Sequence, residues 1–300
     1  MTTTHADIYT RVTGQIISAI EQGAGTFRMP WHRTGNDCFL PTNAASQRPY
    51  RGLNVLTLWA AADRREYTSG IWATYKQWQN LGAQVRQGEK STLVVLWKPT
   101  ERRDEDDPEQ KVKRRQGLLA RGYSVFNVAQ VDGYSEAERD WTPLSDVERS
   151  ARAETFFGEL GADIRHGGGR AFYDLTNDRI QLPVFGDFHS GAAYYSTLAH
   201  EVTHWTGAAH RLKRELGRRF GSDAYAAEEL VAELGAAFLC GALDFATQPR
   251  ADHAAYIAAW LRVLKSDNRA IFTAASKAQQ AADWLMQQSE CTTVAAAAGV

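Results

Sequence analysis

The sequence predicts an α+β protein in two parts, a small mixed front part over residues 1–135 and a mainly helical rear part over residues 136–300. Three observations lead there. Apolar residues recur at helical spacing in the first twenty positions and, densely, beyond residue 190. β-Branched and aromatic residues gather over 92–98 and 123–131, the composition of strands. Gly133 and Pro143 bracket a stretch that reads as a linker, with the boundary just after Gly133.

Taken in order, Ile8, Val12, Ile16, Ile17 and Ile20 share one face of a first helix that ends at Gly23 and Gly25. Gln47 to Asn54 is a loop feeding a helix through Val55, Leu58 and Trp59, and a short helix follows over 74–81. Two strands, Thr92 to Lys98 and Tyr123 to Val131, flank a mixed-charge run from Arg102 to Arg115 that reads as a long hairpin loop. Ser145-Asp146-Val147-Glu148 is a capping box opening the rear part. Ala171 to Pro183 reads as two short strands about an Asn-Asp turn. Ser190 caps a helix that stops near Gly207, and Ser222 caps an alanine-rich helix running to Cys240. Ala251–Lys265 and Ala270–Gln288 are two amphipathic closing helices, and the Ala-rich tail is expected to fray.

Composition excludes several classes. The chain is 44% hydrophobic and 23% charged, ordinary for a globular protein. It has no eighteen-residue apolar run, and its N-terminus lacks the basic and apolar regions of a signal peptide. Cys38, Cys240 and Cys291 are too few and too far apart for a disulfide frame or a cysteine zinc site. The expectation is a cytoplasmic protein with no membrane partner. The net charge of −1 hides an asymmetry: residues 1–135 carry 18 Lys/Arg against 13 Asp/Glu, and the rest carry 16 against 22. A basic front part is a modest hint of a polyanionic partner.

The segment with the most chemistry is His200-Glu201-Val202-Thr203-His204. Histidines four apart lie on one helix face, so their imidazoles can converge on one metal ion. Glu201 is then placed as the catalytic base, taking a proton from water at the ion. A third ligand has two candidates. His210 completes an H-E-x-x-H-x-x-G-x-x-H spacing with Gly207, but the Met-turn that goes with it is absent, since Met286 is the only methionine downstream. Glu229 and Glu233 sit one turn apart on an apolar helix, where carboxylates are costly unless paired or ligating. Glu229 is therefore the preferred ligand, with Glu233 orienting a histidine and His210 as the alternative. One divalent metal is expected, zinc first, with manganese compatible with a His/His/Glu set.

The front part mixes aromatic and basic residues, the means by which single strands of nucleic acid are held. Tyr50, Arg51, Asn54, Trp72, Lys76, Arg86 and Lys90 are the DNA-binding candidates.

Four front segments, 48–54, 74–77, 84–90 and 125–128, resemble the N-terminal domain of the ArdC-type antirestriction proteins. His200 to Gly207, Arg211-Leu212 and Glu228 to Glu233 resemble their C-terminal domain. The resemblance implies a single-stranded DNA-binding domain (1–135) followed by a zincin-like metallopeptidase domain (136–300), carried by a conjugative plasmid or related mobile element. Its implied role is to shield incoming DNA from restriction, acting on a protein substrate the sequence does not identify. The alternative is a DNA-coating protein whose metal site is structural or vestigial. A third reading, a protease acting on proteins stuck to DNA, would require that single-stranded DNA stimulate cleavage.

Overall fold

In a computed structural model, residues 5–24, 29, 31–32, 40–102, 115–134, 146–216, 222–245 and 253–298 are described. Helix α1 (His5–Gly23) is followed by β1 (Thr42–Asn43), α2 (Leu53–Arg65), β2 (Ile71–Thr74) and α3 (Tyr75–Asn80). Thr74 closes a capping box with Gln77, which is why the chain passes from strand to helix without a loop. Then come β3 (Gln84–Val85), β4 (Thr92–Arg102), β5 (Arg115–Asn127) and β6 (Val131–Asp132). The main front sheet has the order β1-β2-β5-β4, so β4 is an edge strand while β2 is internal.

The run from Arg102 to Arg115 is not loop at its ends, because the β4–β5 ladder continues to the pair Arg102↔Arg115; residues 103–114 lie outside the described residues. The second strand starts earlier than Tyr123 and stops at Asn127. There the Asn127 side chain accepts from the Ala129 amide and Gln130 accepts from the Asn127 amide, so side chains replace the ladder with one 3-10 turn.

The rear part begins with α4 (Asp146–Glu159) and a three-stranded sheet of β7 (Asp163–His166), β8 (Phe172–Asp174) and β9 (Arg179–Leu182), in the order β7-β9-β8. Helices α5 (Gly191–Trp205), α6 (Asp223–Leu243), α7 (His253–Ser266) and α8 (Ala270–Ala298) complete it. The backbone of α8 stays helical to Ala298 where fraying was expected, in keeping with the high helix propensity of its alanine run. No helix among the described residues is long and apolar enough to cross a membrane.

One apolar core joins the two parts. Ile16, Ile20, Trp31, Leu56 and Trp59 from the front pack in the same cluster as Leu198, Val202, Leu234, Phe238, Trp260 and Leu285 from the rear. Helix α1 thus uses the face its sequence predicts, with Val12, Ile16 and Ile20 at most 1% exposed: Ile16 and Ile20 enter the shared core, while Ile8 and Val12 pack with Val95 and Ala120 of the front sheet.

Helices α5 and α6 meet at Gly235. A β-carbon there would lie 2.5 Å from Thr203 Cγ2 and 2.8 Å from its Oγ1, closer than atoms can sit, so glycine sets the spacing of the two helices. Gly235→Ala is expected to wedge them apart and cost about 1–3 kcal/mol of stability, as overpacking a tight core does. Chemical denaturation checks this, and an unchanged unfolding midpoint would refute it.

Candidate metal centre

The Ser190 hydroxyl accepts from the Ala193 amide and starts α5, and Ser222 does the same for α6 through Tyr225. With both helices fixed at their N-termini, His200 and His204 stand one turn apart on α5 and face Glu229 of α6. The two Nε2 atoms are 3.1 Å apart, and Glu229 oxygens lie 3.5 Å from each of them. Donors about 2.0–2.2 Å from a tetrahedral ion stand roughly 3.3–3.5 Å apart, so this donor set fits a divalent ion in spacing and in chemistry. His200, His204 and Glu229 form the one cluster among the described residues whose ligand atoms lie within 4.8 Å of one another.

The outer nitrogen of each imidazole faces a carboxylate, hydrogen-bonded in His204 and at ion-pair distance in His200. His204 Nδ1 donates to Glu228 Oε1 at 3.3 Å, which leaves its Nε2 lone pair for an ion. Arg214 holds Glu228 in turn, through Nη2 at 2.8 Å and Nε at 3.2 Å. The same guanidinium donates to the Thr203 carbonyl, tying the end of α5 to α6. His200 Nδ1 lies 3.4 Å from Glu233 Oε2, and Glu233 Oε1 meets His32 Nε2 at 3.3 Å. The tautomer of His32 follows from its other contact. Its Nδ1 accepts from the Met29 amide at 3.0 Å, so Nε2 carries the hydrogen and donates to Glu233.

Electrostatics follow from this packing. Burial alone would lower the pKa of His204, but the carboxylates of Glu228 and Glu229 override it and push the imidazole up to about 10. Burial would raise Glu228 and Glu229; hydrogen bonds from His204 to both, from Arg214 to Glu228 and from His200 to Glu229 hold them below the usual range instead. Glu201 is 2% exposed as a residue yet lines the cleft of about 1260 Å³ that opens over the histidines. The exposed Phe172 and Leu175 line the same cleft.

The other sequence candidates lie elsewhere. His210 is on the surface, 3.3 Å from Asp178 and hydrogen-bonded to Arg211, and does not join the cluster. Trp72 does not reach solvent: it is fully buried on internal strand β2, edge-on to Tyr67 at 5.8 Å, so it offers no face to a base. Tyr50 is half-buried with its hydroxyl accepting from Asn43. Both ends of the Asn54 amide are taken by the Val95 backbone, stitching α2 to β4. Arg51 pairs with Asp283, and Arg86 with Asp132 and Glu89, while Lys76 and Lys90 are exposed. His32, Glu228 and Arg214 were assigned no site role from the sequence. His32 carries no motif and lies 201 positions from Glu233. Glu228 had a signal, a third carboxylate beside Glu229 on an apolar helix.

Because the folded pKa of His204 exceeds the unfolded value near 6.5, its pairing stabilises the metal-free protein fully below that pH and is lost as pH rises through about 10. An ion requires the neutral imidazole. Loading zinc at pH 7.5 should therefore release about one proton. Calorimetry in buffers of different ionisation enthalpy reads this directly; identical heats in all buffers would contradict it.

Residues 151–277 match the family described as zincin-like metallopeptidase, and residues 6–126 match the N-terminal domain of anti-restriction factor ArdC. The uncharacterised protein y4eC of Sinorhizobium fredii (strain NBRC 101917 / NGR234) is 53% identical over 96% of this chain and 94% of its own length. A DNA primase TraC of Escherichia coli is 36% identical over 92% of the chain, which spans only 27% of that longer protein. The crystal structure of the antirestriction ArdC protein from plasmid R388 in its metal-free form superposes with a TM-score of 0.79 at 41% identity, covering 95% of this chain and 98% of that one. Its Mn(II)-bound form gives 0.76 at 40% identity, over 94% and 98% of the two chains. The chain belongs to the ArdC antirestriction family, with an ArdC-type N-terminal domain and a zincin-like C-terminal domain.

Proposed function

We propose that this is an antirestriction protein of a conjugative plasmid or related mobile element, acting in the cytoplasm. Its front domain, 1–135, binds single-stranded DNA, and its rear domain, 136–300, is a metal-dependent peptidase. The observation that carries the peptidase reading is the convergence of His200, His204 and Glu229 beside Glu201 at the floor of an open cleft. Zinc is the preferred ion on ligand chemistry, and the Mn(II)-bound R388 relative supports acceptance of manganese as well.

An ion bound there supplies Lewis acidity, polarising a scissile carbonyl and acidifying water. The protein groups do the rest. Glu201 takes the proton from the attacking water and returns it to the leaving amine. Glu228 and Glu233 hold the two imidazoles in register, and His32 and Arg214 hold those carboxylates. Burial lifts the Tyr225 phenol well above its ordinary pKa, so it stays a hydrogen-bond donor on the cleft wall, close to Glu229 and 3.3 Å from the Tyr256 hydroxyl. Among the described residues strand β8 pairs only with β9, and Phe172 and Tyr173 line the cleft. Its outer edge suits an extended peptide laid alongside as an added strand.

Glu201→Gln is expected to keep metal and DNA binding and to lose cleavage of an unfolded protein substrate by at least about a hundredfold, as removal of a general base does. Surviving cleavage would refute the mechanism. The same variant separates protease from coat: if it still shields DNA from an endonuclease in a purified assay, protection comes from covering the strand.

A further inference from the structure

We propose that the single strand lies in a groove between the front part and α8, with bases stacking on the Trp97 platform and phosphates held by Arg269 and Lys277. This rests on the single-stranded DNA reading above and changes where the strand is held. The groove is about 900 Å³ and is lined by Tyr9 of α1, Arg51 just before α2 and Asn54 in its first turn, Trp97 of β4, Arg269 in the turn before α8, and Phe272 and Lys277 of α8. It shares no lining residue with the cleft over the histidines.

Three rings form the platform. Tyr9 lies 4.6 Å from Phe272 and 6.0 Å from Trp97, and Trp97 stands edge-on to Phe272 at 6.2 Å. Trp97 is 37% exposed, so edge strand β4 presents an aromatic ring to the groove. The rings pack on one another and are held ready for a further π face. The Arg269 guanidinium sits 5.0 Å over Tyr9, which places a cation at the margin of the platform.

The charge matches a polyanion. Arg51, Arg269 and Lys277 line the groove against a single carboxylate, Asp283, which Arg51 already pairs. The remaining wall is uncharged, with Thr273, Ser276, Gln279 and Gln280 offering hydrogen bonds beside the apolar Leu53 and Val95. An uncovered ring beside cations and hydrogen-bonding side chains meets the three faces of a nucleotide, its base, phosphate and sugar. The duplex buries its bases and cannot use the platform. Arg51 and Asn54 were candidates from sequence, while Tyr9, Trp97 and the α8 residues replace buried Trp72 as the stacking and charge-bearing partners.

The test is fluorescence anisotropy of a dye-labelled thymidine 20-mer with the full chain and three variants. Trp97→Ala should weaken binding about tenfold or more, and Trp97→Phe should retain most of it. Arg269→Gln combined with Lys277→Gln removes two cations and the Arg269 contact over Tyr9, so thermal melting is measured beside binding and a fold that stays intact is expected. The double variant should lower the slope of log affinity against log salt by about 1.4, the value for two lost phosphate contacts on a single strand. Wild-type affinity and salt slope in the double variant, with oligonucleotide still bound, would overturn the groove and leave the DNA-binding reading standing. Equal affinity for a duplex would also overturn it. A wild-type chain that binds no oligonucleotide would remove the DNA reading and the groove together.

Discussion

Three glutamates of one apolar helix, Glu228, Glu229 and Glu233, are buried to 6% exposure or less, and the rest of the rear fold is arranged around that fact. A buried carboxylate without partners costs several kcal/mol. Each here is met by cations or imidazoles from other elements. Glu228 takes Arg214 and His204, Glu229 takes His200 and His204, and Glu233 takes His200 and His32. The partners come from α5, from the segment after it, and from the front part. Close contact of α5 and α6 at Gly235 and Thr203 holds the two histidines at ligand distance from Glu229.

That arrangement links the two parts of the chain. His32 belongs to the front part, yet its imidazole reaches the carboxylate that faces His200. The apolar residues of α1 and α2 complete the core under the same helices. A strand in the α8 groove and a peptide in the metal cleft would thus be carried by a single packed body. Under the proposed function, DNA binding would in this way bring the peptidase site to whatever protein lies on the strand.

The sequence made the candidate metal centre partly legible because its signals are local. Two histidines at i and i+4, two serine caps and two carboxylates one turn apart are all readable within a few turns of helix. The support around them was not. His32 and Arg214 act across 201 and 14 positions, and nothing in their own neighbourhoods marks them as partners of glutamates. Burial likewise separated Trp72 from Trp97. Both stand on strands of the same sheet, but Trp72 is packed under α2 with Leu58, Ala61 and Ala62 while Trp97 stays partly exposed on edge strand β4, a difference set by which tertiary elements cover each face. The fold class followed from periodicity and strand composition. The shared core did not, because periodicity shows which face of α1 is apolar and leaves open what covers it.

The central claim is that His200, His204 and Glu229 form one metal site and that His210 stands apart. Metal per chain, measured by mass spectrometry after loading with zinc and dialysis, tests it on wild type, Glu229→Ala and His210→Ala side by side. The account requires about one equivalent in wild type and in His210→Ala, with clear loss in Glu229→Ala, as for a three-ligand site with one position open. Retention by Glu229→Ala with loss from His210→Ala would contradict it, and so would a wild-type chain that takes up neither zinc nor manganese.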